Sequence, residues 1–248
     1  MNITVQQYEL VYNSLSFGIA AMGAATLFLW LSRNMVNAAY RTAVTISGIV
    51  TVIAFYHYLR IFESWHAAYT VVNDTITATG VKFNDAYRYV DWLLTVPLLL
   101  IELILVMKLS AAETNSKGLK LGSLAAIMIL LGYPGEVASD NTTRWIFWGL
   151  SMLPFLVIVS DLFGGLKKAI DNQPESVRGL ISNARFLTVA SWCFYPVVFV
   201  LPMLGMSGGA ATAAVQVGYT IADVVAKAVF GIFIYAIAVK KSAAEAAE

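Results

Sequence analysis

Seven long apolar runs constrain this chain more than any other feature. They lie near residues 9–32, 43–62, 86–108, 119–134, 144–165, 185–205 and 211–239, and a helix that crosses a bilayer needs about 20 such residues. In lipid, every backbone amide and carbonyl must find its partner within the chain, so each run is expected to be helical. Only 12% of the residues are charged, against roughly 25% in soluble domains, which also points to lipid as the solvent. The fourth run is the shortest. Polar stretches at 34–38, 111–117, 140–142, 171–175 and 205–209 read as loops. No repeat or linker divides the chain. The expected fold is an all-α bundle of seven transmembrane helices, a single domain over residues 1–248.

Charge placement predicts the orientation. Arg33, Arg41, Lys108, Lys117, Lys120, Lys167, Lys168, Arg178, Arg185, Lys240 and Lys241 fall on one side, and only Arg60, Lys82 and Arg144 on the other. Basic residues favour the cytoplasmic side. The N-terminus is therefore expected outside and the C-terminus in the cytoplasm of a cell with this protein in its plasma or inner membrane. Met1-Asn2-Ile3-Thr4 carries no basic region, so no cleavable signal peptide is expected. A net charge of +1 leaves no footprint for nucleic acid, and the single Cys193 excludes an intrachain disulfide or a cysteine metal cluster.

Ionisable groups inside a span are costly and mostly functional. Here they are Arg88, Asp91 and Glu102 in the third run, Asp223 and Lys227 in the seventh, and His57 in the second. Asp161 falls at the end of the fifth. Arg88, Asp91, Thr95 and Glu102 share one helical face spread over roughly 20 Å. Two carboxylic acids at different depths on one face suit a proton relay; an Arg88–Asp91 ion pair with Glu102 reaching for the interface would use the same residues. Asp223 and Lys227 are four apart and can touch. They are either a buried salt bridge or a lysine in an apolar pocket, able to form a Schiff base with an aldehyde. Trp92, Trp192, Tyr195 and Tyr219 supply either packing or a slot for a flat chromophore.

Taken together, Arg88-Tyr-Val-Asp91-Trp-Leu-Leu-Thr95-Val-Pro97 with Glu102, Trp192-Cys-Phe-Tyr195-Pro196 and Asp223-Val-Val-Ala-Lys227 resemble the microbial rhodopsins, most closely the proton pumps of the proteorhodopsin and xanthorhodopsin branches. The resemblance covers essentially the whole chain. It implies a light-driven outward proton pump, a transporter with no chemical substrate to turn over, with all-trans-retinal bound to Lys227 as a protonated Schiff base. Asp91 would be the proton acceptor, Asp223 the second counterion, Glu102 the cytoplasmic donor and Arg88 the gate towards the outside. Thr95 would hydrogen-bond Asp91, and His57 would partner the acceptor. Trp92, Leu99, Trp192, Tyr195, Pro196 and Tyr219 would line the polyene, with leucine at Leu99 implying green absorption. The expected partners are the lipid membrane, protons and further copies of the chain in a homo-oligomer. The antenna-binding members have glycine at a fifth-span position where Trp148 aligns here, with Gly149 one residue away, so no carotenoid antenna is expected. The outer glutamate pair of the haloarchaeal pumps has no match, which leaves the proton-release route open. A sensory rhodopsin signalling through a partner would share the chromophore, but Glu102 and the lack of an appended signalling domain argue against it.

Overall fold

The computed structural model describes residues 3–73, 75–84 and 86–247, so the reading of residues 1 and 2 lies outside it. Among the described residues, seven helices are long and apolar enough to cross a membrane. The first spans Val5–Ser32, the second Ala38–Ala68, the third Tyr87–Met107 and the fourth Ala111–Val137. The fifth runs Asn141–Ser160 and continues through a π-helical turn, Asp161–Gly165, into Lys167–Asp171. The sixth is Glu175–Val200. The seventh is Gly209–Asp223, a π turn at Val224–Val229, then Phe230–Glu245.

Most of these helices outrun their apolar stretches, because the polar flanks carry caps. Thr4 and Gln7 cap the first reciprocally, at 3.2 and 3.1 Å, the two-way arrangement that satisfies orphan amides at a helix start. Ser110 accepts from the Glu113 amide at 3.3 Å, so 111–117, read above as a loop, is the first two turns of the fourth helix. The second helix passes residue 62 and ends at Ala68. Beyond it comes a hairpin that the apolar pattern did not foreshadow: β1 (Tyr69–Val72) pairs antiparallel with β2 (Thr75–Ala78), Tyr69 opposite Ala78 and Val72 opposite Thr75. Its turn puts Asn73 at φ 50°, a left-handed conformation that asparagine tolerates.

The helices sort by how much surface they bury. The third and seventh are the most enclosed, whereas the fifth mostly faces outward. Large apolar side chains such as Leu31, Leu130 and Leu153 are left on the outside, as lipid allows. One apolar cluster joins Leu99, Leu100 and Leu103 of the third helix to Phe155, Trp192 and Ile234. Close approach is made possible by glycine at two places near the core. A Cβ on Gly18 would lie 2.7 Å from Cε1 of Tyr58, and one on Gly231 would lie 3.0 Å from Leu29. The polar residues of the third and seventh helices face each other inside the bundle.

Candidate functional site

The π turn carries Lys227 into the middle of the bundle, where the lysine is 2% exposed. Its Nζ donates to Asp91 Oδ2 at 2.6 Å and to Asp223 Oδ1 at 2.7 Å. Burying charges is affordable only when they are paired and hydrogen-bonded, and the two carboxylates meet that need in very different ways. Asp223 Oδ1 also accepts from the Tyr195 hydroxyl at 2.7 Å and the Trp92 indole at 3.1 Å, and its Oδ2 accepts from the Tyr58 hydroxyl at 2.8 Å. Arg88 lies 3.5 Å from the same Oδ2. Asp91 Oδ2 has the lysine, while Asp91 Oδ1 is buried without a hydrogen-bond partner among the described residues. Asp223 is thus locked by four hydrogen bonds and an ion pair with Arg88, and Asp91 has one oxygen to spare.

Arg88 is fully buried and pairs with Asp223, and among the described residues no Arg88–Asp91 ion pair of the kind weighed from sequence forms. Its guanidinium donates to the Tyr58 hydroxyl at 3.0 Å and to Gln216 Oε1 at 2.8 Å. Tyr58 and Gln216 are site residues that sequence reasoning missed. Tyr58 directly follows His57 in the run Phe55-Tyr56-His57-Tyr58. Thr95 donates at 2.8 Å to the backbone carbonyl of Asp91, and not to its carboxylate as the resemblance implied. His57 Nδ1 is 2.9 Å from the Ile53 carbonyl of its own helix, and the structure brings His57 into no hydrogen bond with Asp91. Glu102 lies three turns along the third helix towards the C-terminal end of the bundle, fully buried beside Ser47 and in no ion pair of the described residues. Asp161 is outside this interior and pairs with Lys120 at 2.6 Å.

A cavity opens beside the Lys227 amine, and its walls decide what it can hold. Trp92, Leu99, Trp192, Tyr195, Pro196 and Tyr219 all line it, together with Asp223 and Lys227. The Tyr195 and Tyr219 rings stack at 5.8 Å, with Trp92 edge-on to both. The same cavity is also lined by residues no sequence motif marked: Met128 and Gly132 of the fourth helix, Met152 and Phe155 of the fifth, and Phe199. Trp148 faces this cavity and donates from Nε1 to the Pro196 carbonyl at 3.2 Å. Gly149 does not line it, and a Cβ there would meet nothing within 4 Å. An apolar, aromatic slot with an amine at one end fits a flat polyene aldehyde.

Residues 10–241 match the family model described as bacteriorhodopsin-like protein. The chain belongs to the bacteriorhodopsin-like family. As a microbial rhodopsin it is 33% identical to a green-light absorbing proteorhodopsin of the gamma-proteobacterium EBAC31A08, over 93% of this chain and 88% of that one. It is equally 33% identical to a blue-light absorbing proteorhodopsin of the gamma-proteobacterium Hot 75m4, over 90% and 84%. Among solved structures, this rhodopsin superimposes on xanthorhodopsin, described as a light-driven ion pump with dual chromophore, with a TM-score of 0.96 and 48% identity over 99% and 98% of the two chains. A thermophilic rhodopsin gives 0.95 and 42%, covering 98% of each.

Proposed function

We propose that this rhodopsin is a light-driven outward proton pump that carries all-trans-retinal on Lys227 as a protonated Schiff base. Retinal so held supplies light absorption and an isomerisation that re-aims the proton on the lysine nitrogen. The observation that carries the reading is the unequal treatment of the two carboxylates. Asp223, fixed by Tyr195, Trp92, Tyr58 and Arg88, is a permanent counter-charge. Asp91, 2.6 Å from Nζ and with Oδ1 unpartnered, is the one that takes a proton at little cost to its surroundings. Transfer from nitrogen to Asp91 removes two buried charges at once.

Glu102 supplies the return proton. A carboxyl buried with no cation beside it is cheaper neutral, and a neutral acid is what a donor has to be. It stands eleven residues from Asp91 on the same face of one helix, on the far side of Lys227 from Arg88. The distribution of basic residues supports that side as cytoplasmic and the N-terminus as outside, and with them an outward direction of transport. Net movement comes from which acid each half of the interior presents to the nitrogen. No substrate is turned over.

Trp148, which lines the slot and is tied to the Pro196 carbonyl, stands where the resemblance puts glycine in antenna-binding members, which supports retinal as the only chromophore. An excitation spectrum taken with a hydroxylated carotenoid should show no energy transfer. The decisive experiment for the function is illumination of an unbuffered suspension of cells making the protein with retinal. Acidification of the medium that a protonophore abolishes is expected. Alkalinisation, or no change, overturns the proposal.

A further inference from the structure

Lys241 was counted by sequence among the basic residues on one side of the membrane. It is buried, 5% exposed, and its Nζ donates to three acceptors: the carbonyls of Val106 at 3.1 Å and Met107 at 2.9 Å, and Gln173 Oε1 at 2.7 Å. The two carbonyls belong to the last turn of the third helix, where no later amide of that helix reaches them and where the negative end of the dipole favours a cation. Lys108 closes that helix in a left-handed conformation, φ 56°. Gln173, itself buried, precedes the sixth helix and returns donors to the Met107 and Ala169 carbonyls, each at 3.1 Å.

One turn further along the seventh helix, Glu245 accepts from the Tyr40 hydroxyl, from Lys108 Nζ at 2.7 Å and from Asn37 Nδ2 at 2.9 Å. The Asn37 amide donates to Ser242 at 2.8 Å. Helices two, three and seven and the segment between five and six are thereby tied together across one end of the bundle. Met107 is five residues past Glu102, about 7 Å along the axis. The side chains between, Leu103, Ile104 and Val106, are apolar and buried.

We propose that Lys241 is a positioning residue for proton uptake: its ammonium, held by Val106, Met107 and Gln173, latches the seventh helix across the cytoplasmic mouth above Glu102, and this latch must part before Glu102 can regain its proton. The inference rests on Glu102 as donor. A fully buried acid under a layer of apolar side chains reaches bulk water only if that layer opens, and hydrogen bonds to a charged group are the strongest links that hold it shut. Lys241, on the seventh helix, touches the third helix and the five–six segment together.

The test is flash photolysis of the full-length, retinal-loaded protein with a pH-indicator dye. Lys241→Met should take up its proton faster by on the order of tenfold to a hundredfold, the loss of about one such charged hydrogen bond from the opening barrier. Gln173→Leu should act in the same direction with the lysine still present, and it carries the test should Lys241→Met fold poorly. Lys241→Arg, which can reach the same acceptors, should restore the slow uptake that a merely lost methylene stem would not. Combined with Glu102→Gln, Lys241→Met should also shorten the recovery of that variant. In the dark and without a flash, amides of residues 103–110 and 169–175 should exchange with deuterium faster in Lys241→Met. Uptake and exchange that stay at the parent rate, or an uptake that slows, overturn the latch. A Glu102→Gln variant that recovers at the parent rate overturns the donor role instead, so the two failures are distinct.

Discussion

Gly18→Ala puts a single methyl against the residue that holds the counter-charge in place. The new Cβ would sit 2.7 Å from Tyr58 Cε1, 2.8 Å from Cδ1 and 3.1 Å from Thr220 Cγ2. Tyr58 has no free side, being fully buried, and its hydroxyl is committed to Asp223 at 2.8 Å and Arg88 at 3.0 Å. Restoring ordinary contact requires the ring or the first helix to retreat by about 0.7 Å, the shortfall against a van der Waals distance near 3.4 Å. Overpacking of this kind costs about 1–3 kcal/mol. If the ring moves, its bond to the carboxylate stretches from 2.8 Å towards 3.5 Å and most of a further ~1.5 kcal/mol goes with it. A loss of about 2 kcal/mol corresponds to roughly 4–8 °C for a chain of this size. The assay is the temperature at which half of the visible absorbance is lost in the dark. Gly149→Ala is the control, because a Cβ there meets nothing, and it should bleach with the parent. If Gly18→Ala also bleaches with the parent, the glycine is not what lets Tyr58 reach Asp223, and the reasoning fails.

Lys227→Ala should give no visible band on addition of retinal, because no other lysine among the described residues borders the cavity; any red-shifted band in that variant contradicts the site. Glu102→Gln should still release a proton outward on a flash but recover slowly, with a decay that becomes strongly pH-dependent and is accelerated by azide; an unchanged decay assigns the donor role elsewhere, with Asp161 the next acid in line. Absorption of the parent should be green, since Leu99 puts an apolar side chain against the slot, and Leu99→Gln, which adds a dipole there, should shift the maximum to the blue; coincident spectra would show that this position does not tune colour.

How much of this was legible beforehand depends on the range of the interaction involved. Lys227 and Asp223 are one helical turn apart, so their contact follows from spacing alone. The third-helix face of Arg88, Asp91 and Glu102 was equally readable. The assignment of Arg88 to Asp223 was not, because within one helix Asp91 is the nearer acid and only the packing of the third helix against the seventh reverses the choice. Tyr58 and Gln216 were hidden for the same reason: a tyrosine or glutamine in an apolar run carries no local mark of what it will face. Helix ends were misjudged where polar caps, Ser110 with Glu113 above all, prolong a helix past its lipid-facing part. The hairpin at 69–78 has the β-branched alternation Tyr-Thr-Val-Val and Thr-Ile-Thr-Ala, but a reading tuned to 20-residue apolar runs passes over four-residue strands. The burial of Lys241 was not legible because a cation near a helix end looks alike in sequence whether it meets water or three carbonyl-type acceptors.

The π turn at Val224–Val229 makes the seventh helix two rods joined by a compliant coupling. A regular helix spreads a sideways push along its whole length, but a widened turn, with its hydrogen-bond ladder one residue out of step, yields locally. Lys227 sits inside that coupling, so displacement of its side chain is delivered to a joint. The section beyond, Phe230–Glu245, is then a lever of about 24 Å. At the far end of that lever, a tilt of a few degrees at the lysine becomes a travel of an ångström or more, comparable to the reach of a hydrogen bond.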